Sequence, residues 1–219
     1  MEAESICLQI LDYRQAAGIT VRPWLFWEPE GNLCFPETLD AHIRVCRLVD
    51  VFSPNRFELA AFFGSDINSP PRESAIMEWC TFFLEHGIGP SSTGTIIVRA
   101  DVQGCFVMSH NQPFRRLPAY YEPQPQKEST PMPSSQEKVI DPTGAGNAFM
   151  GGFAIGFVET GDVIKAISYG AVSSSFALEQ IGIPRRAVAE DGSELWNGDC
   201  VSSRLDLYLS SIMKDVVDA

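Results

Sequence analysis

The chain has 219 residues, 45% of them hydrophobic and 20% charged, which suits one globular domain with one sizeable core. Its formal net charge of −12 argues against a nucleic-acid partner or an acidic membrane surface, which need clustered basic residues. No apolar run is long enough to span a bilayer, and the amino terminus has no basic leader segment.

Taken in order, the residues alternate between helical and extended patterns. Ile6, Ile10, Leu11 and Ala17 recur at helical spacing over residues 3–17, and Gly18 stops that helix. The aromatic run 23–27 reads as a strand buried on both faces, closed by a turn at Trp27-Glu28-Pro29. A second amphipathic segment covers 37–48, and 50–53 is a short strand. Pro54 and Asn55 then punctuate the chain before a helix through Leu59, Ala60 and Phe63. A longer helix spans about 71–86, and strands at 95–98 and 105–108 flank Gly104. This alternation is the rhythm of an open, mostly parallel sheet in the α/β class, with helices on both faces. Residues 109–136 interrupt it with a proline-rich polar stretch, read as an exposed loop inside the domain. Helices at about 144–159 and 162–180 follow, and an amphipathic helix from Ser203 to Val217 closes the sequence.

One stretch carries the chemistry. Val139 and Ile140 end an apolar run expected to form a strand over 137–140, and Asp141-Pro142-Thr143-Gly144-Ala145-Gly146-Asn147 turns the chain into a helix. A glycine-rich turn at a helix start aims free backbone N–H groups and the positive end of the helix dipole at one point, which suits a phosphate. Glycine at 144 and 146 lets an anion approach the backbone closely. The competing reading is an ordinary helix start with Thr143 as N-cap.

The string resembles the Asp-Thr-Thr-Gly-Ala-Gly-Asp signature of the PfkB/ribokinase-like carbohydrate kinases, most closely in a divergent fungal branch. Asp141, Thr143, Gly144, Ala145 and Gly146 match it. The resemblance implies a ribokinase-like fold, an anion hole built from Thr143, Gly144, Ala145 and Gly146, and ATP with Mg²⁺ as cofactors. It also implies ATP-dependent phosphoryl transfer to a sugar or related alcohol. The family's catalytic base falls at Asn147, and a neutral amide has no useful basicity. Activity is therefore in doubt at that one position, and a nucleotide-binding pseudokinase or a non-binding interaction module stands as the alternative.

Two further segments extend the resemblance. Pro54-Asn55-Arg56-Phe57-Glu58 matches the family's Pro-Asn-x-x-Glu, which gives Asn55 a phosphate-organising role and Glu58, with Asp141, a role at the metal. A helix N-cap at Asn55 with Glu58 completing a capping box accounts for the same residues. Val98-Arg99-Ala100-Asp101-Val102-Gln103-Gly104 lies where the family has Val-Thr-x-Gly-x-x-Gly; only Gly104 keeps its glycine, as a nucleotide-contacting position. The resemblance covers the later part of a family member, so the amino-terminal substrate and lid portion is expected to be missing, leaving an incomplete sheet inclined to self-association or a protein partner. The six scattered cysteines, without a C-x-x-C pair, read as buried reduced thiols of a cytoplasmic protein. His42, His86 and His110 sit in separate segments and form no catalytic group; surface or capping roles are expected for them.

Overall fold

The structure, a computed structural model, describes residues 2–66, 69–122 and 138–217. Its elements are α1 (Glu2–Ala16), β1 (Phe26–Trp27), α2 (Leu39–Cys46), β2 (Val51–Phe52), α3 (Arg56–Phe62), α4 (Glu73–His86), β3 (Thr95–Arg99), β4 (Cys105–Ser109) and β5 (Gln112–Leu117). After these come α5 (Ala145–Thr160), α6 (Val163–Leu178), β6 (Arg186–Val188), β7 (Glu194–Trp196), β8 (Asp199–Cys200) and α7 (Val201–Val217). They group into two compact units: residues 1–100 with 105–116, and residues 101–104 with 117–219.

The first unit holds a five-stranded sheet in the order β1-β2-β3-β4-β5. β1, β2 and β3 run parallel, and β4 returns antiparallel to β3 with Thr95 opposite Ser109 and Arg99 opposite Cys105. The expected open α/β sheet is therefore present as a mixed sheet. Ile96, Ile97 and Val98 are successive and all fully buried, which requires cover on both faces of β3. Phe52, Ile96, Val98 and Phe106 pack with Ile43 of α2, Leu59 and Phe62 of α3, and Ile76, Cys80 and Phe83 of α4. Cys7 of α1 packs apart from that cluster, against Val45 and Val49. The short β1 is held by Asp50, whose carboxylate accepts the Leu25 N–H at 2.8 Å and Arg22 Nη1 at 2.7 Å.

Three expectations need correction in this unit and the next. Residues 112–117, assigned to a loop, form β5 beside β4; the Pro113 side chain does not bar this because an edge strand tolerates a missing N–H. His42 has neither a surface nor a simple capping role. It is buried, stacks on Trp27 with ring centroids 5.4 Å apart, and meets Phe62 edge-on at 4.5 Å. Burial lowers its pKa, so the ring is neutral at neutral pH. No strand forms at Val139–Ile140, which are exposed; the Ile140 and Asp141 N–H groups instead bond the Leu178 carbonyl at the end of α6, at 2.7 and 3.2 Å. Leu178 takes both N–H groups that a sheet partner would have needed. Residue 137, the start of that expected strand, lies outside the described residues, as do residues 123–137 of the proline-rich stretch.

The second unit is built on α5 and α6. Asp162 caps α6 by accepting from Ile164 and Lys165 N–H, and Gly161 ends α5 at φ +63°. Gly152 and Gly156 of α5 lie against Tyr169 of α6, close enough that no side chain would fit between the helices. A small antiparallel sheet, β6-β7-β8, follows and was not legible in the sequence. Arg204 of α7, 5% exposed, ties the unit together. It bonds Glu179 at 2.8 Å, Asp199 at 2.7 Å and Ser175 at 3.0 Å, with its guanidinium 3.9 Å from the Phe176 ring centroid.

Candidate functional site

In the second unit, the Asp141–Asn147 turn delivers the chain into α5. Gly144 is the N-cap residue, in the left-handed region at φ +81°, where glycine carries no steric cost. Among the described residues, a methyl group built on it would meet nothing within 4 Å. Thr143, Gly144 and Asn147 are exposed, while Phe149 and Phe153 anchor the same helix in the core. The first turn of α5 contains no acidic residue to compete for its amides. Thr143 is not the N-cap: its own N–H is bonded at 2.9 Å by Asp141 Oδ1. The Thr143 amide and hydroxyl hold the Asp141 carboxyl below the usual carboxylate range, so it is ionised at neutral pH. The geometry can bind an anion through backbone N–H groups, with an amide side chain, Asn147, at its rim.

Gly104, in the same unit, is at φ +83°, and an added Cβ would lie 2.0 Å from the Leu117 carbonyl oxygen. Its place in the fold is accounted for by close passage of residues 117–119. Asp101, where the family keeps a glycine, adopts φ +51°, so the backbone retains a glycine-like conformation under a different side chain.

The first unit places Asn55 and Glu58 at the start of α3. Asn55 Oδ1 accepts the Phe57 and Glu58 N–H groups at 2.9 Å each, and Glu58 Oε2 accepts the Asn55 N–H at 2.7 Å. This is a complete capping box. Arg99, at the end of β3, is fixed alongside: its N–H bonds Pro54 O at 3.0 Å, and it bridges Asn55 in parallel register. The guanidinium faces two carboxylates, with Nη2 at 3.0 Å from Glu28 Oε2 and 3.6 Å from Glu58 Oε2. Burial pushes both carboxyls above the usual range, opposed for each by Arg99 and for Glu58 also by the Asn55 N–H. Glu28 and Arg99 belong to this cluster although neither was assigned a site role; the signal was an isolated arginine closing an apolar strand, 41 residues beyond Glu58.

Of the two carboxylates proposed to hold a divalent ion, Glu58 does not fit one, while Asp141 is ionised and accepts the Thr143 N–H. The inner oxygen of Glu58 already accepts an N–H and faces a guanidinium. Among the described residues, no three His, Cys, Asp or Glu side chains gather where they could hold a metal ion. An anion such as a nucleotide phosphate does fit the α5 turn, on the grounds of its exposed Gly144 and acid-free first turn. Among the described residues no helix is long and apolar enough to cross a membrane.

Comparison with known proteins agrees with the turn and the sheet. The profile of the pfkB family carbohydrate kinases matches residues 25–185. An uncharacterized protein of Schizosaccharomyces pombe is 32% identical over 207 residues, covering 93% of this chain and 55% of its own. Protein MAK32 of Saccharomyces cerevisiae is 29% identical over 217 residues, covering 94% and 54%. The chain thus spans about half the length of the curated relatives it matches. Among solved structures, Arabidopsis thaliana ribokinase complexed with ribose and ATP superposes with a TM-score of 0.58 at 18% identity, over 82% of this chain and 48% of that one, a likeness of fold. With the family profile running through both the Asn55–Glu58 segment and the Asp141–Asn147 turn, the chain belongs to the pfkB family of carbohydrate kinases.

Proposed function

We propose that this chain carries the nucleotide-phosphate half of a pfkB-type phosphotransferase, and that its natural reaction is ATP-dependent phosphoryl transfer to a sugar or related alcohol. The observation that carries the reading is exposed Gly144 in the left-handed conformation at the start of α5, where no side chain among the described residues caps the Gly146 and Asn147 amides. ATP, when bound, supplies the transferable phosphoryl group. The amides of Gly146 and Asn147 would hold its phosphate oxygens, with Thr143 at their edge, while the Ala145 N–H closes the turn onto the Pro142 carbonyl at 3.2 Å. Asn55 would act through its cap of α3 rather than through a free side chain.

Asn147 divides catalysis from binding. Its amide can hydrogen-bond a substrate hydroxyl and orient it, but it cannot take the proton that the hydroxyl loses on attack. A positioned general base contributes roughly 10²–10⁴-fold, so the expected enzyme is slow. The second reading, a pseudokinase that binds nucleotide as scaffold or regulator, is favoured by that same residue. The free thiols, five of them buried, suit a reducing compartment, which supports a cytoplasmic setting.

A coupled ADP-release assay with a panel of sugars and polyols separates the readings. Wild type should turn over slowly or not at all, and Asn147→Asp should raise the rate at least tenfold. An Asn147→Asp variant that binds ATP yet stays inactive would leave the scaffold reading; failure of both proteins to bind ATP would refute the nucleotide site itself.

A further inference from the structure

We infer that Arg99 is a tethered cation: one of its guanidinium nitrogens occupies the place between Glu28 and Glu58 that an exchangeable divalent ion would otherwise take. Three oxygens surround Arg99 Nη2, the Glu28 carboxylate at 3.0 Å, the Ser53 carbonyl at 3.1 Å and the Glu58 carboxylate at 3.6 Å. Two carboxylates and a carbonyl are the donors that Mg²⁺, Ca²⁺ or Mn²⁺ prefers. Here a permanently charged side chain fills the position, and its strand fixes it there through the Arg99 N–H to Pro54. The cluster is sheltered, with side-chain exposures of 18% for Arg99, 26% for Glu28 and 13% for Glu58. The buried Ser53 hydroxyl and the Arg99 Nε have no hydrogen-bond partner, so the cage is not saturated by the guanidinium. Two carboxylates need a positive charge at their centre, and the sequence has supplied it covalently.

The consequence is that wild type takes no divalent ion at Glu58, and that removing the guanidinium creates an ion site. Arg99→Gln should lower Tm by roughly 5–15 °C, because two sheltered carboxylates then face each other without a cation. Adding millimolar MnCl₂ or CaCl₂ should restore most of that loss in Arg99→Gln and leave wild type unchanged. Glu28→Gln/Glu58→Gln in the Arg99→Gln background should abolish the rescue, and Arg99→Lys should stay near wild type without added ion. Should Arg99→Gln fail to fold, wild type still decides the matter through Mn²⁺ titration followed by electron paramagnetic resonance. A wild-type Mn²⁺ site that Glu58→Gln removes would overturn the inference, as would a folded Arg99→Gln that neither ion stabilises; identical Mn²⁺ titrations of wild type and Glu58→Gln would support it.

Discussion

The seating of α5 on α6 rests on closely packed glycines, one of which, Gly152, has a neighbour in sequence that provides its own control. A Cβ added to Gly152 would lie 2.6 Å from the Tyr169 carbonyl oxygen and 2.7 Å from Ser173 Cβ. Ordinary contact needs about 3.5 Å, so the two helices would have to part by about 0.9 Å at that point. Overpacking of this kind costs about 1–3 kcal/mol, against a gain of at most about 1 kcal/mol from replacing glycine inside a helix. At Gly151, one residue earlier, an added Cβ meets nothing within 4 Å, and only the gain remains. Gly151→Ala should therefore raise Tm and Gly152→Ala lower it, with a separation of roughly 4–10 °C by circular dichroism. Equal increases in the two variants would refute close helix contact as what holds the α5 turn in place.

Three further outcomes follow from particular contacts. Asn55→Ala removes the acceptor for two α3 amides and should cost about 1–2 kcal/mol in urea unfolding, whereas Asn55→Asp should cost much less; equal losses would remove the cap argument. Gly104→Ala places a Cβ 2.0 Å from the Leu117 oxygen in a left-handed conformation, and should cost about 4 kcal/mol or more, so a soluble protein with unchanged Tm would contradict the path of 117–119. The Glu179 carboxyl is pushed up by burial but pulled further down by Tyr121, Asn197 and Arg204, and that of Asp199 is lowered chiefly by Arg204. Both pKa values are thus depressed in the fold, so their stabilisation is complete above the ordinary values of 4.5 and 3.8 and is lost as pH falls through the lower folded values. Glu179→Gln should flatten the fall of Tm between about pH 5 and pH 3; an unchanged slope would mean that other carboxylates govern acid unfolding.

Much of the architecture was legible because apolar spacing and glycine stops act locally. The helices at Glu2–Ala16, Glu73–His86, Ala145–Thr160 and Val163–Leu178 follow from those signals within a few residues. The Asp141–Asn147 turn was legible for the same reason, its glycines having a backbone conformation to supply. What stayed hidden depends on contacts distant in sequence. Val139 and Ile140 are strand-like by type, yet Leu178 takes their backbone bonds. Gln112–Leu117 contains a proline and two arginines, so its pairing with β4 left no alternating pattern to read. Glu28 and Arg99 are 71 residues apart, and only the parallel neighbours β1, β2 and β3 bring the strand ends that carry them together. Glu58 was assigned to a metal by motif, whereas the guanidinium beside it is a tertiary fact.

The central claim is that the amino-terminal amides of α5 form the phosphate site. The most direct measurement is a ¹⁵N–¹H titration of the isotope-labelled chain with ATP, repeated with adenosine and with tripolyphosphate. ATP and tripolyphosphate should move the amide resonances of Gly144, Ala145, Gly146 and Asn147 first and furthest, while adenosine leaves them in place. Saturating shifts confined to other residues, or no shift at millimolar ATP, would contradict the claim.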